Sequence, residues 1–367
     1  MNIQGLRNRA SYTPAVQELL GEWDGESVSI HIDRSSGAWM FICVHSSALG
    51  KAAGGTRMKH YPSPRDALAD GMRLSEAMSL KFACVDFPHG GGKAVIALPT
   101  TEIPRGEPRR RLLHEFGTFV NSLGGLYSCA PDMNTSDVDM DVIAEVTPYV
   151  FCKTEAGGGS GDTSADTAVG VLHGIRATCR YAFGSDDLSK RTVLVQGAGG
   201  VGGRLIELLM QADVAVIATD IDAQRLNAFR DRGLRTVAAD DALATDCDVL
   251  SPCAVGGILN PETIPNLRCR AIAGAANNQL RSPNDADLLR RRGIAYAPDF
   301  VINAGGVLHG GGLEELHWTR AQLDAKLAGI GDSVYEIFER AEREGISTDA
   351  AARRIAMDRI QRAATTG

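Results

Sequence analysis

The stretch Val193-Leu194-Val195-Gln196-Gly197-Ala198-Gly199-Gly200-Val201-Gly202 decides the fold. An apolar run reads as a buried strand, and glycines at 197, 199 and 202 follow it in the G-x-G-x-x-G spacing. Gly197 permits the tight turn, Gly199 lets a pyrophosphate approach the backbone, and Gly202 allows the next helix to pack closely against the strand. Val201, after Gly200, opens that helix, predicted over 201–212, whose N-terminal amides and dipole favour phosphate. A second strand over 214–219 ends at Asp220. This acid is placed to accept hydrogen bonds from ribose hydroxyls and to repel a 2′-phosphate. The stretch predicts a doubly wound Rossmann domain that binds NAD. Asp222 and Arg225 follow closely, and an arginine there can accommodate a phosphate.

Further strand-like segments lie at 248–251, 271–274 and 294–297, with helical stretches between the first several, so the sheet is expected to be parallel. Their ends carry small or polar residues: Pro252-Cys253-Ala254, Ala275-Ala276-Asn277-Asn278 and Asn303-Ala304-Gly305-Gly306. Ligands of open α/β sheets bind outside the carboxyl ends of the strands, which directs these segments toward the nicotinamide. Helical spacing from Thr319 and a fresh start at Ser347-Thr348-Asp349 predict two C-terminal helices.

Upstream, the runs 28–33 and 38–45, separated by Arg34-Ser35-Ser36-Gly37, predict a hairpin. Ser63-Pro64 caps a helix that reaches Leu80, 94–98 reads as a buried strand, and 112–123 as a helix stopped by Gly124-Gly125. The composition shifts at Ala156-Gly157-Gly158-Gly159-Ser160-Gly161-Asp162, which suits a hinge. The expected organisation is an α/β protein of two domains with a cleft between them. Residues 1–160 form a mixed α/β domain, residues 161–324 the Rossmann domain, and the helices of 325–367 pack back onto the first.

The chain has 367 residues, 44% hydrophobic and 23% charged, with a formal net charge of −7. That balance gives no electrostatic reason to seek nucleic acid or anionic membrane. No run of about eighteen apolar residues exists, and the opening Met1 to Ala10 is polar, so a cytoplasmic location is expected. The eight cysteines are scattered without a C-x-x-C pair, and no histidine or cysteine spacing suggests a metal.

Lys81 stands at a helix end, and Lys93 follows Gly90-Gly91-Gly92. Phe87 and Ala94 exclude a phosphate-binding P-loop, which needs a glycine and a hydroxyl at those positions. The remaining functional reading is a lysine approached closely over a surface without Cβ atoms. Burial or a neighbouring cation would lower its pKa for acid–base work.

Gly54-Gly55-Thr56-Arg57, Met78-Ser79-Leu80-Lys81, Gly90-Gly91-Gly92-Lys93, Pro131-Asp132-Met133-Asn134-Thr135, Ser251-Pro252-Cys253-Ala254 and the run from Ala297 to Gly306 occur in this order. Together they resemble the glutamate/leucine/phenylalanine/valine dehydrogenase superfamily over nearly the whole chain. Within it, Trp23-Asp24-Gly25-Glu26, Asp132-Met133-Asn134-Thr135 and Ala297-Pro298-Asp299-Phe300 look most similar to actinobacterial-type phenylalanine dehydrogenases, with leucine dehydrogenases next.

The resemblance implies reversible oxidative deamination of an L-amino acid to its 2-oxo acid and ammonia, with NAD as hydride acceptor. It assigns catalysis to Lys93 and Asp132, the substrate carboxylate to Lys81, and substrate orientation to Gly54, Gly55 and Asn277. Thr167 and Asn303 fall where the family contacts nicotinamide or substrate. The side-chain pocket implied by the motifs includes Ala53, Ala130, Val307 and Gly310, and three small residues of four favour a large hydrophobic side chain such as that of phenylalanine. Gly310 stands where relatives carry a bulkier residue, and His309 beside it is a candidate pocket donor or a structural histidine. A homo-oligomer is implied. The alternatives are a branched-chain (leucine/valine) dehydrogenase, a catalytically silent amino-acid- or NAD-binding homologue, and a Rossmann enzyme without amine chemistry.

Overall fold

The computed structural model describes residues 19–21 and 23–366, so the polar opening Met1 to Ala10 lies outside the described residues. The chain divides into two compact units, and the division passes between Gly157 and Gly158. Each has its own sheet.

The first unit holds five strands in the order β1-β2-β4-β3-β5. Strands β1 (Ser27–Asp33) and β2 (Ala38–Ser46) form the expected hairpin, closing at Asp33 opposite Ala38. Strands β3 (Ala52–His60) and β5 (Tyr127–Pro131) escape the sequence reading. The first is rich in glycine and charge, and the second is short, so neither shows the alternation that marks a half-buried strand. Strand β4 (Gly90–Leu98) starts four residues earlier than 94–98, because the three glycines are part of it. It is buried along its whole length and pairs antiparallel with β2 and parallel with β3.

Helix α1 (Pro64–Cys84) is capped by Ser63, whose hydroxyl accepts from the Asp66 amide at 3.3 Å. Helix α2 (Gly106–Ser122) lays Leu112, Leu113, Phe116, Phe119 and Val120 on the core and ends before Gly124, which has a positive φ of 60°. The short α3 (Asp137–Ala144) starts from a capping box between Ser136 and Asp139.

The second unit is built on six parallel strands in the order β11-β10-β9-β6-β7-β8. These are β6 (Thr192–Gln196), β7 (Ala215–Thr219), β8 (Arg235–Thr236), β9 (Val249–Pro252), β10 (Ala271–Ile272) and β11 (Ala295–Tyr296). Counted from β6 this is the 3-2-1-4-5-6 order of a Rossmann sheet. Strand β8, two residues long, has no signature in the sequence. Helices α4 (Ser164–Phe183) and α5 (Gly200–Gln211) flank β6, and α4 begins three residues before the expected Thr167.

The short helices α6 (Asn227–Arg230) and α7 (Asp285–Arg291) connect later strands, and α8 (Asp299–Ile302) and α9 (Gly305–Gly310) follow β11. The long α10 (Arg320–Glu344) carries a Thr319–Gln322 capping box and stops at the left-handed Gly345, before α11 (Thr348–Thr366).

The C-terminal helices group with the second unit and with the end of α1. Gly158–Arg362 form one unit together with Leu80–Phe87, the end of α1 and the residues after it. Packing explains it. Gly170 leaves room for Ile330 of α10, and Tyr181 stacks on Phe338 at 4.4 Å. Arg359 of α11 donates to the carbonyls of Ala83 and Cys84 at 2.8 and 3.0 Å.

Gly92 tests the packing of β4. A Cβ there would lie 2.7 Å from the ring of Tyr127, a fully buried side chain whose hydroxyl donates to the Gly54 carbonyl at 2.6 Å. Gly92→Ala is expected to lower unfolding stability by about 1–3 kcal/mol, the usual result of overpacking. Denaturant unfolding measures it.

Candidate active site

In the first unit, β4 and the turn after β5 bring Lys93 and Asp132 together. Lys93 Nζ lies 2.9 Å from Asp132 Oδ2, and the lysine is only 5% exposed. Gly55 makes the meeting possible: a Cβ on it would lie 2.8 Å from the Asp132 Cβ and 3.0 Å from Lys93 Nζ. Gly54 is equally constrained, since a Cβ there would overlap the Gly92 carbonyl oxygen, and Gly91 faces the backbone of Ser79 on α1.

The Asp132 turn is clamped to β3. Thr135 Oγ1 accepts from the Asp132 amide at 2.9 Å and donates to the Thr56 carbonyl at 2.7 Å, while Asn134, at φ 63°, donates to the Met58 carbonyl at 2.9 Å. Ser136, not Asp132, caps the following helix. The aspartate is therefore free for Lys93.

Burial pushes Lys93 below the ordinary lysine value; Asp132 opposes the shift and Arg57 adds to it. Burial alone would raise the Asp132 carboxyl, but Lys93 and Arg57 outweigh it and hold it below the usual range. Arg57, which the sequence reading left without a role, donates from Nε to Asp132 Oδ2 at 2.8 Å. Its signal was a charged residue directly after the run Ala52 to Thr56, which is buried throughout. Ala53 and Ala130 are buried on β3 and β5.

The second unit gathers another group. Lys81, in the last turn of α1, donates to Asn303 Oδ1 at 2.7 Å. Asn303 Nδ2 then donates to Asn277 Oδ1 at 2.7 Å and to the Ala275 carbonyl at 3.1 Å. Asn303 is buried and Asn277 exposed, so the chain runs from a cation to an amide at the surface. Thr167 is buried and donates to the Thr163 carbonyl at 2.9 Å.

The fingerprint has the geometry its spacing predicts. Gly197 takes φ 99°, and a Cβ on it would lie 2.8 Å from that of Ala254. Gly202 lies against the Gly197 carbonyl and the Cys253 Cβ, and Gly200 against Ser164. Gly199 is open: a Cβ there would meet only Arg225, at 3.7 Å. That cradle fits a pyrophosphate at the amides of Gly200 and Val201, which open α5.

Asp220 accepts from the Ala198 amide at 2.7 Å and the Asp222 amide at 2.8 Å, with Arg225 3.7 Å away. Cys253, half-buried just past the end of β9, has its thiol pushed up by desolvation, so it is not a reactive thiolate. Ile221 and Val255, which follow Asp220 and Ala254 in the chain, are exposed apolar side chains, 95% and 62%.

Val307 and Gly310 belong to α9. His309 between them has a partner that its sequence neighbourhood hides. Its Nδ1 meets Asp166 Oδ2 at 2.6 Å and its Nε2 meets the Ser160 carbonyl at 3.1 Å. Both partners accept, so both ring nitrogens donate and the imidazole is charged. The Asp166 hydrogen bond raises the His309 pKa. Burial would raise Asp166, but His309 and Arg320 bring it down to about 2. Among the described residues no group of three or more His, Cys, Asp or Glu is placed to hold a metal, and no helix is long and apolar enough to cross a membrane.

A Rossmann sheet with an open glycine cradle, in a chain that also buries a lysine against an aspartate, defines a dinucleotide-dependent oxidoreductase. Comparison with known proteins agrees. Residues 27–149 match the dimerisation domain of Glu/Leu/Phe/Val dehydrogenases, and residues 219–367 match the Glutamate/Leucine/Phenylalanine/Valine dehydrogenase family. The chain is 39% identical to a leucine dehydrogenase of Geobacillus stearothermophilus, covering 92% of this chain and 91% of that one. It is 37% identical to a phenylalanine dehydrogenase of Caldalkalibacillus thermarum, covering 92% of each. The solved L-tryptophan dehydrogenase of Nostoc punctiforme superposes with a TM-score of 0.83 at 35% identity, over 94% of this chain and 98% of that one. The chain belongs to the Glu/Leu/Phe/Val dehydrogenase family and is an amino-acid dehydrogenase.

The Asp166–His309 pair yields a stability test. Asp166→Ala leaves His309 buried without its counter-ion and is expected to cost about 3 kcal/mol, at the low end for a broken buried pair because Arg320 is exposed. Asp166 has a lowered pKa, so its contribution is present above the unfolded aspartate value of about 3.9 and lost as pH falls toward 2. His309 has a raised pKa, so its contribution is full below about 6.5 and lost as pH rises through the folded value. The difference between wild type and variant in thermal unfolding should therefore be largest between about pH 4 and 6.5.

Proposed function

We propose that this dehydrogenase carries out the NAD-dependent, reversible oxidative deamination of an L-amino acid with a large hydrophobic side chain, phenylalanine or a larger aromatic one. The observation that carries the reading is Lys93, buried, lowered in pKa and paired with Asp132 at 2.9 Å. A lysine that can lose its proton near working pH is a general base. Lys93 takes a proton from the water that adds to the imine carbon, and Asp132 moves protons to and from the substrate nitrogen. Lys81 binds the substrate carboxylate as a point charge, steadied by Asn303, and Asn277 and the backbone of Gly54 and Gly55 orient the amino acid.

The nicotinamide supplies the acceptor for the Cα hydride. The residues that would hold the cofactor are Gly197, Gly199, Gly200, Val201 and Gly202 at the pyrophosphate, Asp220 at the ribose, Ile221 and Val255 at the adenine, and Thr167, Cys253, Ala254 and Asn303 toward the nicotinamide. Asp220 favours NAD over NADP by like-charge repulsion of a 2′-phosphate.

Residues 1–160 take the substrate-binding and oligomerisation role and 161–324 the cofactor role, in a cytoplasmic homo-oligomer. Relatives named for leucine and for phenylalanine stand at similar identity, so the side-chain preference rests on Ala53, Ala130, Val307 and Gly310. Three small residues favour bulk. The second reading, a branched-chain dehydrogenase, has the leucine relatives behind it.

NADH formation with a panel of L-amino acids tests both. Phenylalanine or tryptophan well above leucine and valine is the expected result, and the reverse order replaces it with the branched-chain reading. Lys93→Ala should lower kcat by about 10²–10⁴-fold, the span of general acid–base catalysis, and NAD binding should persist. No turnover on any amino acid would favour a silent homologue.

A cofactor comparison is the companion test. NAD should exceed NADP in kcat/KM by about 10²-fold, and Asp220→Ser should narrow that ratio. Equal use of both by the wild type would show that Arg225 governs the site.

A further inference from the structure

Lys93 and Arg57 compete for one atom. Arg57 Nε and Lys93 Nζ both meet Asp132 Oδ2, at 2.8 and 2.9 Å, and among the described residues Oδ1 takes no hydrogen bond. Arg57 is itself held from behind, where its Nη1 donates to Asp70 Oδ2 at 3.1 Å. That oxygen also accepts the Tyr61 hydroxyl at 2.7 Å, and Asp70 Oδ1 accepts Arg73 at 2.8 Å. With Asp70 on α1 anchoring it, Arg57 bridges two carboxylates across the sheet, a task its planar fork suits and a lysine's single ammonium does not.

A buried lysine facing one carboxylate alone would form a closed ion pair, and its proton would be held too tightly for a base. Arginine stays charged at every working pH. Placed on the same oxygen, it draws on the carboxylate charge that would otherwise stabilise the Lys93 ammonium. We propose that Arg57 is a positioning residue of the acid–base step: it shares Oδ2 with Lys93, loosens the hold of Asp132 on the lysine proton, and leaves Oδ1 to the substrate nitrogen. The inference rests on the amino-acid oxidation proposed above.

The other charged or titratable groups around the pair are Asp70 and Arg73 from α1, Tyr61 after β3 with Lys59 over its ring, Tyr127 and Cys129 from β5, and Cys43 on β2 opposite Lys93. Of these, Asp70 favours the charged lysine, and Arg57 disfavours it. The two act on the lysine with opposite signs, so removing each should move its titration in opposite directions.

The test is the pH dependence of kcat/KM for amino-acid oxidation in the full-length protein. Its acid limb reports Lys93 losing its proton. Arg57→Gln should move that limb up by about one pH unit, since a lost cation lets the lysine hold its proton longer. Arg57→Lys, which keeps the charge, should stay near the wild type. Asp70→Asn should move the limb down. Limbs of Arg57→Gln and Asp70→Asn that fail to separate overturn the proposal, however far the rate falls. Where Arg57→Gln does not fold, Asp70→Asn decides alone, and an unmoved or raised limb overturns it. A wild type that oxidises no amino acid removes the underlying reading as well, whereas an active wild type with unseparated limbs removes the role of Arg57 only.

Discussion

The ammonium of Lys93 is the constraint around which the first unit is arranged. Taking a charge out of water costs several kcal/mol, and only close, well-oriented partners offset it. The partner here is a carboxylate at 2.9 Å, which the bare Cα of Gly55 leaves room to approach. Around the pair, four glycines on two neighbouring strands keep the packing close: Gly54 and Gly55 on β3, Gly91 and Gly92 on β4. Each lies against an atom that a methyl group would displace. The glycine run is thus a packing requirement, and the chemistry of Lys93 follows from the packing.

The second unit answers a different demand, room for a ligand at the ends of parallel strands. Gly197 and Gly202 are filled from within the fold by Ala254, Cys253 and each other, whereas Gly199 is left open. The same economy holds at the later strands. Asn303 spends its donor on Asn277 and Ala275 and its acceptor on Lys81, so it is satisfied within the fold and fixes the lysine's direction. Asn277 accepts at its oxygen, and its amide nitrogen remains available as a donor at the surface.

Legibility in the sequence followed the range of the interaction that fixed each feature. The fingerprint, the hairpin and the capped helices are set by residues within a few positions of one another, and all could be read directly. Strands β3 and β5 could not, because their burial is imposed by partners about 40 and 75 residues apart, as in the pairing of Gly54 with Cys129. His309 looked like a lone histidine because Asp166 lies 143 residues before it. The Lys93–Asp132 pair was legible only through resemblance of the surrounding runs; nothing in spacing alone joins residues 39 positions apart. The contacts of Arg359 with Ala83 and Cys84 were hidden for a related reason, since they close a loop of more than 270 residues.

A carboxylate has two oxygens, and the structure gives them different work. Oδ2 of Asp132 is saturated by two cations, one permanent and one titratable. A single oxygen shared in this way holds neither cation as tightly as it would hold one, which acts with burial in lowering the lysine's pKa. Had Arg57 bound Oδ1 instead, the aspartate would be neutralised on both sides and closed to a third group. The stagger arises from the backbone: Thr56 sets Arg57 on β3, and the clamp from Thr135 to the Thr56 carbonyl sets the height of Asp132 above it. One hydroxyl group thus ties the Asp132 backbone to the strand that carries Arg57.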